Sequence, residues 1–225
     1  MTPRRRILPI FVPHAGCPNQ CVFCDQKRIS GSPFSASAAA VQSALSVLPE
    51  GAGVELAFYG GSFTAIPSDR QEELLSAAAP FREKGTVSSI RVSTRPDAVD
   101  PAALKRLRRY GVETVELGAQ SMDEEVLRLS GRGHAARDTE RSSALVKEAG
   151  FHLILQMMTG LPGSSVEKDL NTARRIIALR PDGVRIYPTV ILRGTELEKL
   201  WREGIYKEHT LEDAVELCSH LLPMF

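Results

Sequence analysis

The sequence predicts an α/β fold: a partial (β/α)6 barrel of TIM type, with a parallel sheet inside and helices outside. Three observations carry that reading. Six short strand-like runs alternate with stretches of helical period along the 225 residues. The runs are almost continuously apolar, as strands covered on both faces of a parallel sheet must be. Residues of chemical interest fall just behind the runs, and in parallel barrels those strand ends open onto one face. Six units suit an incomplete barrel better than the eight of a closed one.

In order, the strands read 7–12, 54–59, 89–94, 114–119, 153–158 and 183–191. The helices read 36–48, 68–84, 101–110, 123–130, 138–149 and 165–179. Ser68 suits the cap of a helix that carries Glu72 and Glu73 early, Pro101 suits a first helical turn, and Gly111 and Gly150 follow helix ends. The cysteine run 17–24 follows the first strand, Gly60-Gly61-Ser62-Phe63 the second, and Ser93-Thr94-Arg95-Pro96-Asp97 the third. Gln120-Ser121 follows the fourth, Thr159-Gly160-Leu161-Pro162-Gly163 the fifth, and Tyr187-Pro188-Thr189 lies in the sixth. The topology therefore gathers six scattered motifs into one constellation.

Composition bounds the rest. The length suits one sizeable domain, 1–225, with a core that needs no staple. No apolar stretch approaches membrane-spanning length. With 28 basic against 27 acidic side chains, the net charge of +1 recruits no nucleic acid through a global field. Basic residues do cluster locally, at Arg4, Arg5 and Arg6, at Lys105, Arg106, Arg108 and Arg109, and at Arg128, Arg132 and His134. Each cluster is either a solvated face or a contact for a phosphate-rich partner. The missing targeting signal, with thiols that must stay reduced, points to the cytoplasm.

Cys17, Cys21 and Cys24 form a C-x3-C-x2-C run. Three thiolates so close can hold three corners of an iron–sulfur cluster and leave one iron open for a ligand, unlike the four-cysteine ferredoxin runs. Zinc is the rival, because His14 with the three cysteines makes a Cys3His set. Cys218 lies in an apolar helical run and reads as packing. Gly60 and Gly61 either let backbone approach a ligand or form a tight turn. Phe23 either covers an adenine or packs on the loop. Gln120 and Gln156 sit in apolar strands, where burial demands hydrogen-bond partners, a ribose or backbone. Neither a Walker A loop nor G-x-G-x-x-G occurs. His134 reads as a surface residue and His152 as a strand-edge residue.

The cysteine loop, with an aromatic before its last cysteine, and the Gly-Gly pair after the second strand resemble the radical S-adenosylmethionine enzymes. The stretches 117–134 and 160–163 look like the subgroup shared by oxygen-independent coproporphyrinogen oxidases and the Elongator catalytic subunit. The stretches 94–97, 182–195 and 200–206 are similar to the Elongator catalytic subunit.

The resemblance implies a 4Fe–4S cluster on Cys17, Cys21 and Cys24, with S-adenosyl-L-methionine on the fourth iron. It implies that Gly60, Gly61 and Ser62 face the methionine amino group, that Gln120 and Gln156 lie near the ribose, and that Lys147 lies near the methionine carboxylate. Without the resemblance, Lys147 reads as a solvated charge at a helix end. Ser93 stands where related enzymes often carry a ribose-binding Glu. The expected activity is release of a 5′-deoxyadenosyl radical that abstracts hydrogen from substrate. A reductase, flavodoxin or ferredoxin would supply the electron, and a tRNA nucleoside is the leading substrate. A porphyrin- or heme-binding relative and a non-catalytic zinc- or cluster-bearing nucleic-acid-binding module are the alternatives. Relatives continue past the position of Phe225, so a shortened or truncated chain is expected.

Overall fold

The computed structural model describes residues 6–18, 20–31 and 36–225. Arg4 and Arg5 of the first basic cluster, and Asn19 of the cysteine loop, lie outside the described residues. The rest form one six-stranded parallel sheet in the order β1 to β6: Ile7–Phe11, Val54–Tyr59, Val87–Thr94, Val112–Gln120, His152–Thr159 and Gly183–Pro188. Each strand pairs with the next in sequence, and the sheet curls into a half-barrel with its helices outside. Strand order equal to chain order follows from right-handed crossovers that each return to the neighbouring edge.

The helices are α1 (Gln26–Ser30), α2 (Ala38–Ser46), α3 (Ser68–Ser76), α4 (Ala79–Glu83), α5 (Pro101–Arg109), α6 (Glu124–Leu129), α7 (Ala136–Glu148), α8 (Val166–Ala178), α9 (Glu196–Arg202) and α10 (Leu211–Leu221). Asp100, Asp123 and Ser165 cap α5, α6 and α8 by accepting from first-turn N–H groups. Three readings need correction. The segment 68–84 is broken, because Pro80 lacks an N–H and its ring would clash with the carbonyl four residues back, so it sits in the first turn of a separate helix, α4. Ser68 is the first residue of α3; Pro67 holds the cap position, without a side-chain bond. The sixth strand ends at Pro188, short of 191.

Outward-facing Leu56, Phe58, Ile90, Val92, Val115, Leu117, Leu153 and Leu155 are buried in one cluster with helical residues such as Leu74, Leu107, Val146 and Ile176. Each such aliphatic side chain contributes about 1.5–3 kcal/mol by leaving water. The inner face is different. Glu55, Arg91, Glu116 and Arg185 alternate with those apolar residues and meet one another across the lumen. All six strands end near one rim, and the cysteine loop leaves β1 there.

Candidate active site

The loop after β1 is fixed by backbone contacts. His14 N–H donates to Gly60 O at 2.9 Å, and Ser62 N–H donates to Ala15 O at 2.7 Å. A Cβ at Gly61 would stand 2.4 Å from Val12 O and 2.5 Å from Ala15 O. Gly61 is therefore required by close approach, and the backbone that approaches is the chain's own cysteine loop. At the far end of that loop, Val22 N–H donates to Ser130 O and Val22 O accepts from Leu197 N–H. Asp25 then caps α1.

Cys21 is buried, and Cys17 and Cys24 are half-buried. Burial and then the neighbouring Cys21 push the Cys17 thiol up. Burial above all raises Cys24 to about 11, partly opposed by Gln26, whose Nε2 donates to Cys24 Sγ at 3.4 Å. Arg132 donates Nη1 to Cys21 Sγ at 3.3 Å and Nη2 to Gly118 O at 2.6 Å. Three thiols thus lie within reach of one another's charge, with a guanidinium behind them. Metal coordination deprotonates such thiols outright.

Three cysteine thiols are a soft donor set that suits an iron–sulfur cluster or, with a fourth ligand, zinc. Among the described residues no three His, Cys, Asp or Glu side chains close on a single ion. His14, the fourth ligand of a zinc set, accepts the Gln26 N–H on Nε2 at 3.0 Å. Soft thiolates suit iron–sulfur clusters.

The other expected site residues divide. Gln120 and Gln156 meet, each donating its amide to the other, at 3.2 and 2.8 Å. Each is thus a hydrogen-bond partner of the other. Gln120 holds φ at 65°, at a register shift between Gly118 and Gln120. Ser93 is half-buried on β3, in register with Glu116. Phe23 packs against Val126, Met158 and Leu161, beside the loop. Gly60 takes φ of 87° at the rim.

Ser62 is fully buried, and its hydroxyl pairs with Thr94 Oγ1 at 3.0 Å and accepts the Arg95 N–H at 3.2 Å. Its N–H donates to Ala15 O at 2.7 Å and its carbonyl accepts the Ala65 N–H at 2.9 Å, so its polar groups are engaged within the protein. Lys147 is a correction. It lies in the last turn of α7, at the opposite end of the sheet, where Nζ donates to Leu179 O and Arg180 O at 3.3 and 2.8 Å. Its charge complements the C-terminal end of α8 and does not reach the rim.

Other site residues escaped the sequence reading. Arg132 and His134 are buried, not a basic surface. His134 Nε2 lies 3.3 Å from Ala119 O, and burial, then the Arg132 charge, lower its pKa to about 4. Arg95 grips Asp97 with two bonds of 2.9 Å beside a cavity of about 650 Å³ that opens next to Cys17. Inside the lumen, Arg91 pairs with Glu55 at 3.0 Å and Glu116 at 3.4 Å, and Arg185 Nη1 sits 2.9 Å from both Glu116 oxygens. Charged residues at alternate positions of apolar strands were the available signal. His152, read as a strand-edge residue, is the first residue of β5 and is exposed.

Comparison with known proteins agrees with this geometry. The model of the Radical SAM superfamily matches residues 11–176, and that of the Radical_SAM C-terminal domain matches 181–225. A tRNA uridine(34) acetyltransferase of Methanocaldococcus infernus is 32% identical over 187 residues, 74% of this chain and 35% of its own length. Elongator complex protein 3 of Homo sapiens is 32% identical over 191 residues, 76% of this chain and 35% of its own. The chain thus spans about a third of the length of these curated relatives. The solved archaeal Elp3 of M. infernus with an N-terminal deletion superposes with a TM-score of 0.76 at 26% identity, covering 96% of this chain and 54% of that one. Coproporphyrinogen III oxidase (HemN) of Escherichia coli shares the fold, with a TM-score of 0.69 at 18% identity over 97% of this chain and 52% of that one.

Proposed function

We infer the function from one premise: the chain belongs to the radical SAM superfamily and is an enzyme of that type. We propose that Cys17, Cys21 and Cys24 hold a 4Fe–4S cluster, and that the rim around Gly60, Gly61, Gln120 and Gln156 binds S-adenosylmethionine. Bound there, the two would supply a 5′-deoxyadenosyl radical that takes a hydrogen atom from substrate. The rest falls to the protein. Gly61 seats the cysteine loop on the second strand's loop. Arg132 and Gln26 direct donors at two of the sulfurs, and hydrogen bonds to sulfur tune cluster potential. The paired amides of Gln120 and Gln156 present a neutral polar surface. Ser93 is kept as a rim residue of the ribose site, and Phe23 as a wall of the adenine site.

The substrate we propose is a tRNA nucleoside, because the relatives at about 30% identity are named for tRNA uridine chemistry or for Elongator. An external reductase, flavodoxin or ferredoxin would deliver the electron. The cytoplasm suits the free thiols. No helix among the described residues is long and apolar enough to cross a membrane.

The observation that carries the reading is the convergence of three thiols, one backed by a buried arginine, at the strand-end rim of a six-stranded half-barrel. The test is anaerobic reconstitution with iron and sulfide. The wild type should turn brown and form 5′-deoxyadenosine when reduced with the cofactor, and Cys21→Ala should lose both. A colourless wild type carrying stoichiometric zinc, or unchanged cofactor cleavage by the variant, would refute it.

A further inference from the structure

The lumen carries an arrangement that cluster and cofactor do not explain. Closed barrels fill this space with layers of branched apolar side chains. Here two glutamates and two arginines occupy it, and burying such ions costs more than packing hydrophobic residues in their place. Stability alone does not account for them.

Their exposure is graded. The Glu55 and Glu116 side chains are 4% and 3% accessible, Arg91 16% and Arg185 33%. The network is thus rooted in the sheet and opens at β6, an edge strand. At that mouth the Arg185 guanidinium lies over two rings, 5.2 Å from the Tyr59 centroid and 5.0 Å from that of Tyr187. Tyr59 is the residue before Gly60, and Arg185 is the register partner of Gln156. The stack therefore adjoins the residues given to the cofactor.

Charge decides what would settle there. Two carboxylates and two guanidiniums cancel, and Glu116 already answers Arg185 with both oxygens. Burial raises the pKa of both phenols, which stay neutral at physiological pH. The site offers flat π surfaces and a neutralised N–H donor edge. It calls for a neutral planar heterocycle with carbonyl acceptors, not for a phosphate.

Resting on the tRNA-nucleoside reading above, we propose that Tyr59, Arg185 and Tyr187 form the surface on which the substrate's uracil-type base stacks, with Arg185 directing it toward the rim. The test uses the reconstituted holoenzyme and two fluorescent RNA hairpins that differ at one loop position, uridine or dihydrouridine. Dihydrouridine keeps both carbonyls and loses the planar ring. Stacking on an aromatic side chain corresponds to about tenfold in affinity. The wild type should bind the uridine hairpin about tenfold more tightly. Tyr187→Leu should erase that preference and Tyr187→Phe keep it, with circular dichroism and cluster absorbance verifying that each variant is folded and loaded. Arg185→Gln should weaken uridine binding by a similar factor. Equal wild-type affinity for both hairpins, or a preference that survives Tyr187→Leu, overturns the stack and leaves the tRNA reading standing. Failure to bind either hairpin overturns both.

Discussion

Gln120 shows what one residue gives up to complete the rim. Its φ of 65° is a backbone region that side-chain-bearing residues avoid, at about 1–2 kcal/mol. The bulge beside Gly118 turns its amide back onto Gln156, and the two side chains satisfy each other in a buried place. The strain and the amide pair can be separated. Gln120→Ala and Gln120→Gly both lose the pair, but only glycine relieves φ. In urea unfolding the glycine variant should therefore be about 1 kcal/mol more stable than the alanine variant. Equal midpoints, or a more stable alanine variant, would show that the left-handed conformation does not persist in solution. Both variants should also lower affinity for S-adenosylmethionine, measured by equilibrium binding to the loaded protein.

At the scale of elements, the site depends on how two loops interlock. The cysteine loop and the loop after β2 share hydrogen bonds from His14 to Gly60 and from Ser62 to Ala15. They pack so closely that no side chain fits at Gly61. The atoms a new Cβ would strike are backbone carbonyl oxygens, which cannot swing aside as a flexible side chain would. Gly61→Ala should cost about 2 kcal/mol or more in stability. It should also lower the iron retained after reconstitution, because the three cysteines lose their seat. A variant with wild-type iron content and unchanged unfolding midpoint would contradict that packing. The same logic explains why the Gly-Gly pair reads ambiguously in the sequence. Both a turn and a close approach call for glycine, and only the tertiary partner distinguishes them.

For the molecule as a whole, the curl of the sheet brings strands that are far apart in sequence into ionic contact. Glu116 on β4 touches Arg91 on β3 and Arg185 on β6, and so ties the inner faces of three strands together. Removing one partner of a buried pair leaves an uncompensated charge, at a cost of about 3–5 kcal/mol. Arg185 is partly exposed, so Glu116→Ala should fall at the lower end, about 3 kcal/mol by denaturant unfolding. A loss below about 0.5 kcal/mol, the size of an exposed pair, would mean that the lumen is open to water throughout.

Much of this protein was legible in its sequence, because the determinants are local. Apolar runs of strand length, capped helical stretches and glycines behind them fix the order of elements, and a parallel sheet follows from their alternation. The cysteine spacing likewise points to the proposed metal loop without help from the fold. Even the break at Pro80 was written in the chain, since a proline cannot continue a helix. What the sequence left undecided is which side chains meet. Lys147 turned to the C-terminal end of α8, Arg132 turned inward to Cys21, and His134 became buried and neutral; no local pattern distinguishes these from solvated charges. The polar lumen was hidden for the same reason. Alternation along a strand separates its two faces, but only register and curl decide which face encloses the lumen and which charges meet across it.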